Sequence, residues 1–309
     1  MRLILVFLVI VSALACFCGT ISADRASIFV VGQDVESIKD YYSSFGDYSA
    51  RGKVRFPDGI MAYTAINDVR GLADPVDQGA GVNCVDHLLR EYPGIKVVQI
   101  GLYIKFMLKE IVSGELDGNI DKIGEWIKGS GKHVYLRIGY EFDNPENEYD
   151  PQQYVAAYRY IVDRLHKTNV TNVDFVWHTM AWQDRDQPVY DPLKWYPGDH
   201  YVDWLGISFF DAERHEERDI AAELARKIHK PLMIAESSPF SQNTVEQKLA
   251  WMKSLFEFIN KNDVKFLSYI NVDWDRLPLF ENKKWGDARL QNSPVLMQEW
   301  LRHIGSYSR

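Results

Sequence analysis

Eight short apolar runs recur along the chain: Ile28–Val31, Ile60–Tyr63, Lys96–Ile100, His133–Ile138, Val173–Trp177, Val202–Ser208, Pro231–Ala235 and Lys265–Ile270. Most are filled with Val, Ile, Leu and Phe, the pattern of parallel strands covered on both faces. Between them, apolar residues return at helical spacing. Tyr154, Ala157, Tyr158, Ile161 and Leu165 form one stripe behind Asp150-Pro151, which reads as an N-cap followed by Pro at the first helical position. Leu249, Met252, Leu255, Phe256 and Ile259 form another behind Thr244 and Gln247, a capping-box spacing. Ile120, Ile123 and Ile127 line a third, ahead of Gly129 and Gly131. Eight β/α units in roughly 290 residues predict a single-domain (β/α)8 TIM barrel, with a doubly wound open sheet as the alternative.

The first residues change the picture of what the barrel includes. Arg2, the apolar stretch Leu3 to Leu14 and Ile21-Ser22-Ala23 read as a signal peptide over residues 1–23, with the catalytic-type domain over 24–309. That predicts a secreted, extracellular protein, and no later segment reads as a membrane span. Cys16 and Cys18 would leave with the signal, so Cys84 stands alone and reads as core packing rather than a nucleophile. The net charge is −8, which argues against nucleic acid and anionic surfaces as partners and suits a neutral polymer. The eight His are scattered, without HExxH or paired-Cys spacing, so no metal or cofactor is implied. Asn169-Val170-Thr171 is a glycosylation sequon, placed between a helix and the next strand.

The chemistry is carried by two carboxylates. Glu141 closes the run that contains Arg137, and Glu236 closes Pro231–Ala235. A Glu at the end of an apolar strand is costly unless it faces a polar cleft. In a barrel both fall on the C-terminal face, on the fourth and seventh strands, where active sites assemble. A carboxyl pair there is what acid/base and nucleophilic attack on a glycosidic bond requires. The plainer reading, an ion pair with an Arg at the rim, remains open for each Glu taken alone. Arg137 should share their face, either holding a carboxylate ionised or serving a barrel-interior ion pair. His178 ends the fifth strand and is a candidate for sugar hydroxyls. Trp274 is a candidate sugar platform, and Trp182 and Tyr196 are candidate cleft residues. Tyr63, Tyr103 and Gln33 end other strands and are weaker candidates.

Three motifs stand in order: Arg137-Ile138-Gly139-Tyr140-Glu141, Tyr196-Pro197-Gly198-Asp199 leading into Tyr201–Gly206, and Pro231–Glu236. Together they resemble glycoside hydrolase family 26, retaining barrel enzymes that include β-mannanases and endo-β-1,3-xylanases, over about Ile28 to Trp274. The resemblance implies Glu141 as acid/base, Glu236 as nucleophile, and a polysaccharide or oligosaccharide as substrate of a monomeric enzyme. Two departures stand out. Tyr140 occupies the place of the family's usual His before the acid/base, and Phe210 that of a Tyr supporting the nucleophile. They leave open a glycan-binding barrel without turnover, or a glycosyl-transferring variant, beside a secreted endo-β-glycanase.

Overall fold

The computed structural model describes residues 28–49, 55–181, 190–212 and 215–305. The signal-peptide segment and Trp182 lie outside them. Eight parallel strands close into one barrel: β1 (Ile28–Gly32), β2 (Gly59–Ala65), β3 (Val97–Tyr103), β4 (His133–Ile138), β5 (Val173–Thr179), β6 (Trp204–Phe209), β7 (Leu232–Ser237) and β8 (Phe266–Ile270). Each pairs with its neighbour in sequence, and β1 closes on β8 from Ile28 opposite Phe266 to Gly32 opposite Ile270. Closure excludes the doubly wound alternative.

The helices are α1 (Val35–Ser49), α2 (Val85–Glu91), α3 (Leu108–Ser113), α4 (Asp117–Ser130), α5 (Pro151–Lys167), α6 (His215–Lys227), α7 (Val245–Asn262) and α8 (Pro294–Gly305). Their ends follow local chemistry. Asp150 accepts from the Gln153 amide ahead of Pro151, and Thr244 with Gln247 forms the reciprocal capping box. Gly131, at φ 62°, ends α4, whereas Gly129 lies inside the helix. Between β5 and β6 the described residues hold only a single 3₁₀ turn, Pro192–Trp195.

Strand alternation divides the interior in two. Val30, Met61, Tyr135, Val176, Met233 and Phe266 fill the barrel, and their sequence neighbours pack outward under the helices. Cys84 is a buried free thiol at the start of α2, as core packing requires. The outward layer is apolar almost throughout. The inward layer carries Gln99, Arg137, His178, Ser208 and Ser268, all essentially inaccessible. Most of their polar atoms find one another, since an unpaired one costs roughly 1–3 kcal/mol, although Nε and Nη2 of Arg137 have no hydrogen-bond partner among the described residues.

Candidate active site

On β7, Met233 and Ala235 face the barrel interior while Leu232 and Ile234 face the helices. Simple alternation would therefore send Glu236 outward with Ile234. A register shift intervenes: Ile207 of β6 lies opposite Ile234, but Ser208 lies opposite Glu236. The extra residue, Ala235, makes a bulge that turns Glu236 to the inner face. Gln99 of β3 supports it, donating 2.7 Å to the Ala235 carbonyl and accepting from the Ser268 hydroxyl at 2.7 Å.

Glu236 Oε1 accepts from the Tyr63 hydroxyl at 2.8 Å and from Arg137 Nη1, its ion-pair partner. Among the described residues no hydrogen bond falls on Oε2, which leaves that oxygen for a reacting atom. The Arg137 guanidinium lies 5.1 Å from the ring centroids of both Tyr63 and Tyr140. Gly101 of β3 makes room for this group. A Cβ there would come within 2.6 Å of the Tyr63 ring and 2.9 Å of Arg137 Nη2. Burial, then the charge of Glu236, drive the Tyr63 hydroxyl well above its ordinary pKa, so it remains a donor.

Past the end of β4 the chain turns sharply, with Gly139 at φ 56° and Glu141 at φ 52°. A non-glycine residue in the left-handed region is held there by its surroundings. Asn147 donates to the carbonyls of Tyr140 and Glu141, and the amide of Asn144 donates to that of Glu141. The Glu141 side chain is 8% exposed and Glu236 6%. Oε1 of Glu141 accepts from the Ser208 hydroxyl at 2.6 Å, and Oε2 from Asn144 at 3.1 Å. Burial, then the negative charge of Glu236, push the Glu141 carboxyl up to about 8, against the opposing pull of those two hydrogen bonds. The two carboxyls are thus differently held: one is ion-paired, while the other favours its proton near neutrality.

Between them stand His178 and Ser208. Arg137 Nη1 lies 3.2 Å from His178 Nδ1, and His178 Nε2 lies 3.0 Å from Ser208 Oγ. Burial, then the Arg137 charge, hold the imidazole well below its ordinary pKa.

Several sequence expectations are corrected here. His178 is wholly buried, so it touches Arg137 and Ser208 rather than sugar hydroxyls. Trp274 is 2% exposed: it packs edge-to-face with Phe240, Phe280 and Trp285 and donates to Ser238, so it offers no open ring face. Tyr196 packs on Trp177 and donates to Asp199 at 2.6 Å, holding the connection between β5 and β6 against the barrel. Phe210 stacks on Phe240 at 4.1 Å, and it is Tyr63, from the opposite part of the chain, that supplies a hydroxyl to Glu236. Tyr140 lies at the site as an aromatic wall for Arg137. Tyr103 lies beside it at 6.5 Å, while Gln33 bonds the Ala80 carbonyl instead. Ser208 and Gln99 were missed. The one available signal was a polar residue breaking an apolar strand. Asn169 is exposed in the turn between α5 and β5, at the face opposite the carboxylates.

The loops above the site meet. Lys283, from the segment after β8, pairs with Glu146 from the segment after β4 at 3.0 Å. Those strands lie opposite each other in the barrel order, so the pair crosses the mouth. Lys105, after β3, donates to the Glu146 carbonyl and pairs with Glu148.

The glycosyl hydrolase family 26 profile matches residues 139–272, which include Glu141, His178, Ser208 and Glu236. A β-1,3-xylanase of a Vibrio species is 29% identical over 317 residues, covering 91% of this chain and 65% of that protein. An Alcaligenes β-1,3-xylanase is likewise 29% identical, over 91% of this chain and 64% of its own length. The chain therefore spans just under two thirds of these curated relatives. Among solved structures, a family 26 β-mannanase from Bacteroides ovatus superposes with a TM-score of 0.64 at 16% identity, covering 92% of this chain and 90% of that one. That likeness is one of fold.

Proposed function

We propose that this chain, whose residues 139–272 match the glycosyl hydrolase family 26 profile, is a secreted retaining endo-β-glycanase acting on a plant or algal cell-wall polysaccharide, β-1,3-xylan first and β-mannan second. The observation that carries the reading is the contrast between the two carboxyls on one barrel face: Glu236 ion-paired through Oε1, Glu141 buried and raised to about 8. Such a separation is how one site supplies both a nucleophile and an acid. The preference for β-1,3-xylan rests on the names of the Vibrio and Alcaligenes relatives.

In the first step Glu236 Oε2 attacks the anomeric carbon while Glu141 gives its proton to the leaving oxygen. Arg137 and Tyr63 keep Oε1 fixed and aim the free oxygen. In the second step Glu141, now ionised, takes a proton from water, which attacks the glycosyl-enzyme and releases Glu236. This chemistry asks for carboxyl groups about 5–5.5 Å apart. The displacement uses only the two carboxyls and water. The rings of Tyr63, Tyr103 and Tyr140 would line the sugar path. Asn169 would carry its glycan on the far face, clear of the cleft, and the enzyme would act as a monomer. Among the described residues no helix is long and apolar enough to cross a membrane.

The test is product release from β-1,3-xylan, β-mannan, β-1,4-xylan and β-1,3-glucan by wild type and Glu236→Ala. One polymer should be cleaved by wild type alone, and azide should rescue the variant as a glycosyl azide of inverted configuration. Equal hydrolysis by both proteins would remove Glu236 from the reaction.

A further inference from the structure

We propose that Arg137, His178 and Ser208 form a one-way hydrogen-bond relay that orients the acid/base, with His178 and Ser208 as positioning residues. The proposal rests on the reading of Glu141 as acid/base. Its direction follows from donor and acceptor counts. A guanidinium has donors only, so His178 Nδ1, 3.2 Å from Arg137 Nη1, must accept. The neutral ring then carries its single proton on Nε2, which goes to Ser208 Oγ at 3.0 Å. The serine hydroxyl has one proton, and with its lone pair engaged by His178 that proton points to Glu141 Oε1 at 2.6 Å.

No member of this chain can reverse without leaving a buried donor or acceptor unpaired. His178 is fully inaccessible and Ser208 nearly so, so neither water nor sugar can take a place in it. Oε1 of Glu141 is therefore always an acceptor, and the acid proton must sit on Oε2, beside Asn144. When the Oε2–H bond breaks and the proton passes to the leaving oxygen, the new carboxylate already holds the Ser208 donor. The relay begins at the same Nη1 that binds Glu236, so one guanidinium nitrogen positions both carboxyls.

The charged and titratable groups facing Glu141 are Glu236 from β7, Tyr140 beside it and Asp143 two residues on, with His178 and then Arg137 behind Ser208. Asp143 is fixed by Thr179, Tyr190 and the amide of Met180. The hydrogen bond from Ser208 favours the ionised form of Glu141 and so opposes the upward push of burial.

The experiment measures kcat/KM against pH on an oligosaccharide and on an aryl glycoside whose leaving group needs no proton. It uses wild type, Ser208→Ala, His178→Phe, His178→Gln and Glu141→Gln. Ser208→Ala, nearly isosteric, should move the alkaline limb up by about one pH unit and cost roughly 10–100-fold on the oligosaccharide, with a smaller loss on the aryl substrate. His178→Phe should do the same. His178→Gln, whose amide can accept from Arg137 and donate to Ser208, should return the limb towards wild type. A limb unmoved in Ser208→Ala, with both substrates slowed alike, would overturn the relay while leaving Glu141 as acid/base. A Glu141→Gln protein that keeps the limb and its oligosaccharide rate would overturn the underlying reading instead.

Discussion

Tyr63 contributes one proton to Glu236, and its removal isolates that contribution. Tyr63→Phe keeps the ring against Arg137 but withdraws the 2.8 Å donor. Hydrogen bonds to charged groups are worth about 1.5–3 kcal/mol, so kcat should fall about 10–100-fold with KM little changed in steady-state kinetics. Glu141 has a signature in stability. Its folded-state value of about 8 lies above the ordinary Glu value, so the folded chain keeps a proton that the unfolded chain has lost across that interval. Stability contributed here is therefore lost as pH rises from about 4.5 towards 8. Glu141→Gln removes the penalty, and its melting temperature relative to wild type should climb by about 3–6 °C between pH 5 and pH 8. Both carboxylates were legible in the sequence because a Glu ending an apolar run needs a reason. The relay was not: whether His178 faces sugar or is sealed under Glu141 depends on neighbours 30 and 41 residues away. The hydroxyl that Phe210 lacks reaches Glu236 from Tyr63, on a different strand, a partner invisible along one stretch of chain.

At the scale of elements, the bulge at Ala235 decides whether the site exists at all, since it sets the face on which Glu236 emerges. Gln99→Leu would leave the Ala235 carbonyl and the Ser268 hydroxyl without their partner. We expect a loss of about 2–4 kcal/mol in denaturant unfolding, and of activity beyond what stability explains. Gly101→Ala forces a methyl group into Tyr63 and Arg137, with an expected cost of about 1–3 kcal/mol by the same measurement. The strands and the α5 and α7 caps could be read from local patterns because burial on two faces and N-cap chemistry are local demands. A bulge is not, for it inserts one ordinary alanine into an ordinary apolar run. Trp274 misled for a related reason: its exposure is set by Phe240 from the loop after β7 and by Phe280 and Trp285, where its own long loop folds back on it.

At the scale of the molecule, eight repeats of one pattern favoured a barrel over an open sheet, and the pairing of β1 with β8 decided it. The helices are less regular than the repeat suggests, with two between β3 and β4 and only a 3₁₀ turn described between β5 and β6. Tyr196 belongs to that irregular connection and supports its packing on Trp177. The crossing of Lys283 to Glu146 is an exposed ion pair, worth about 0–1 kcal/mol and weakened by salt. Its position gives it more influence than its energy. On the proposed function a glycan would pass under this tie or wait for it to part, so selection by cross-section would come before selection by linkage. An unbranched strand should slide beneath at any ionic strength. A heavily side-substituted polymer should be cut faster as salt rises, or in Lys283→Ala at low salt, while a plain oligosaccharide registers no difference.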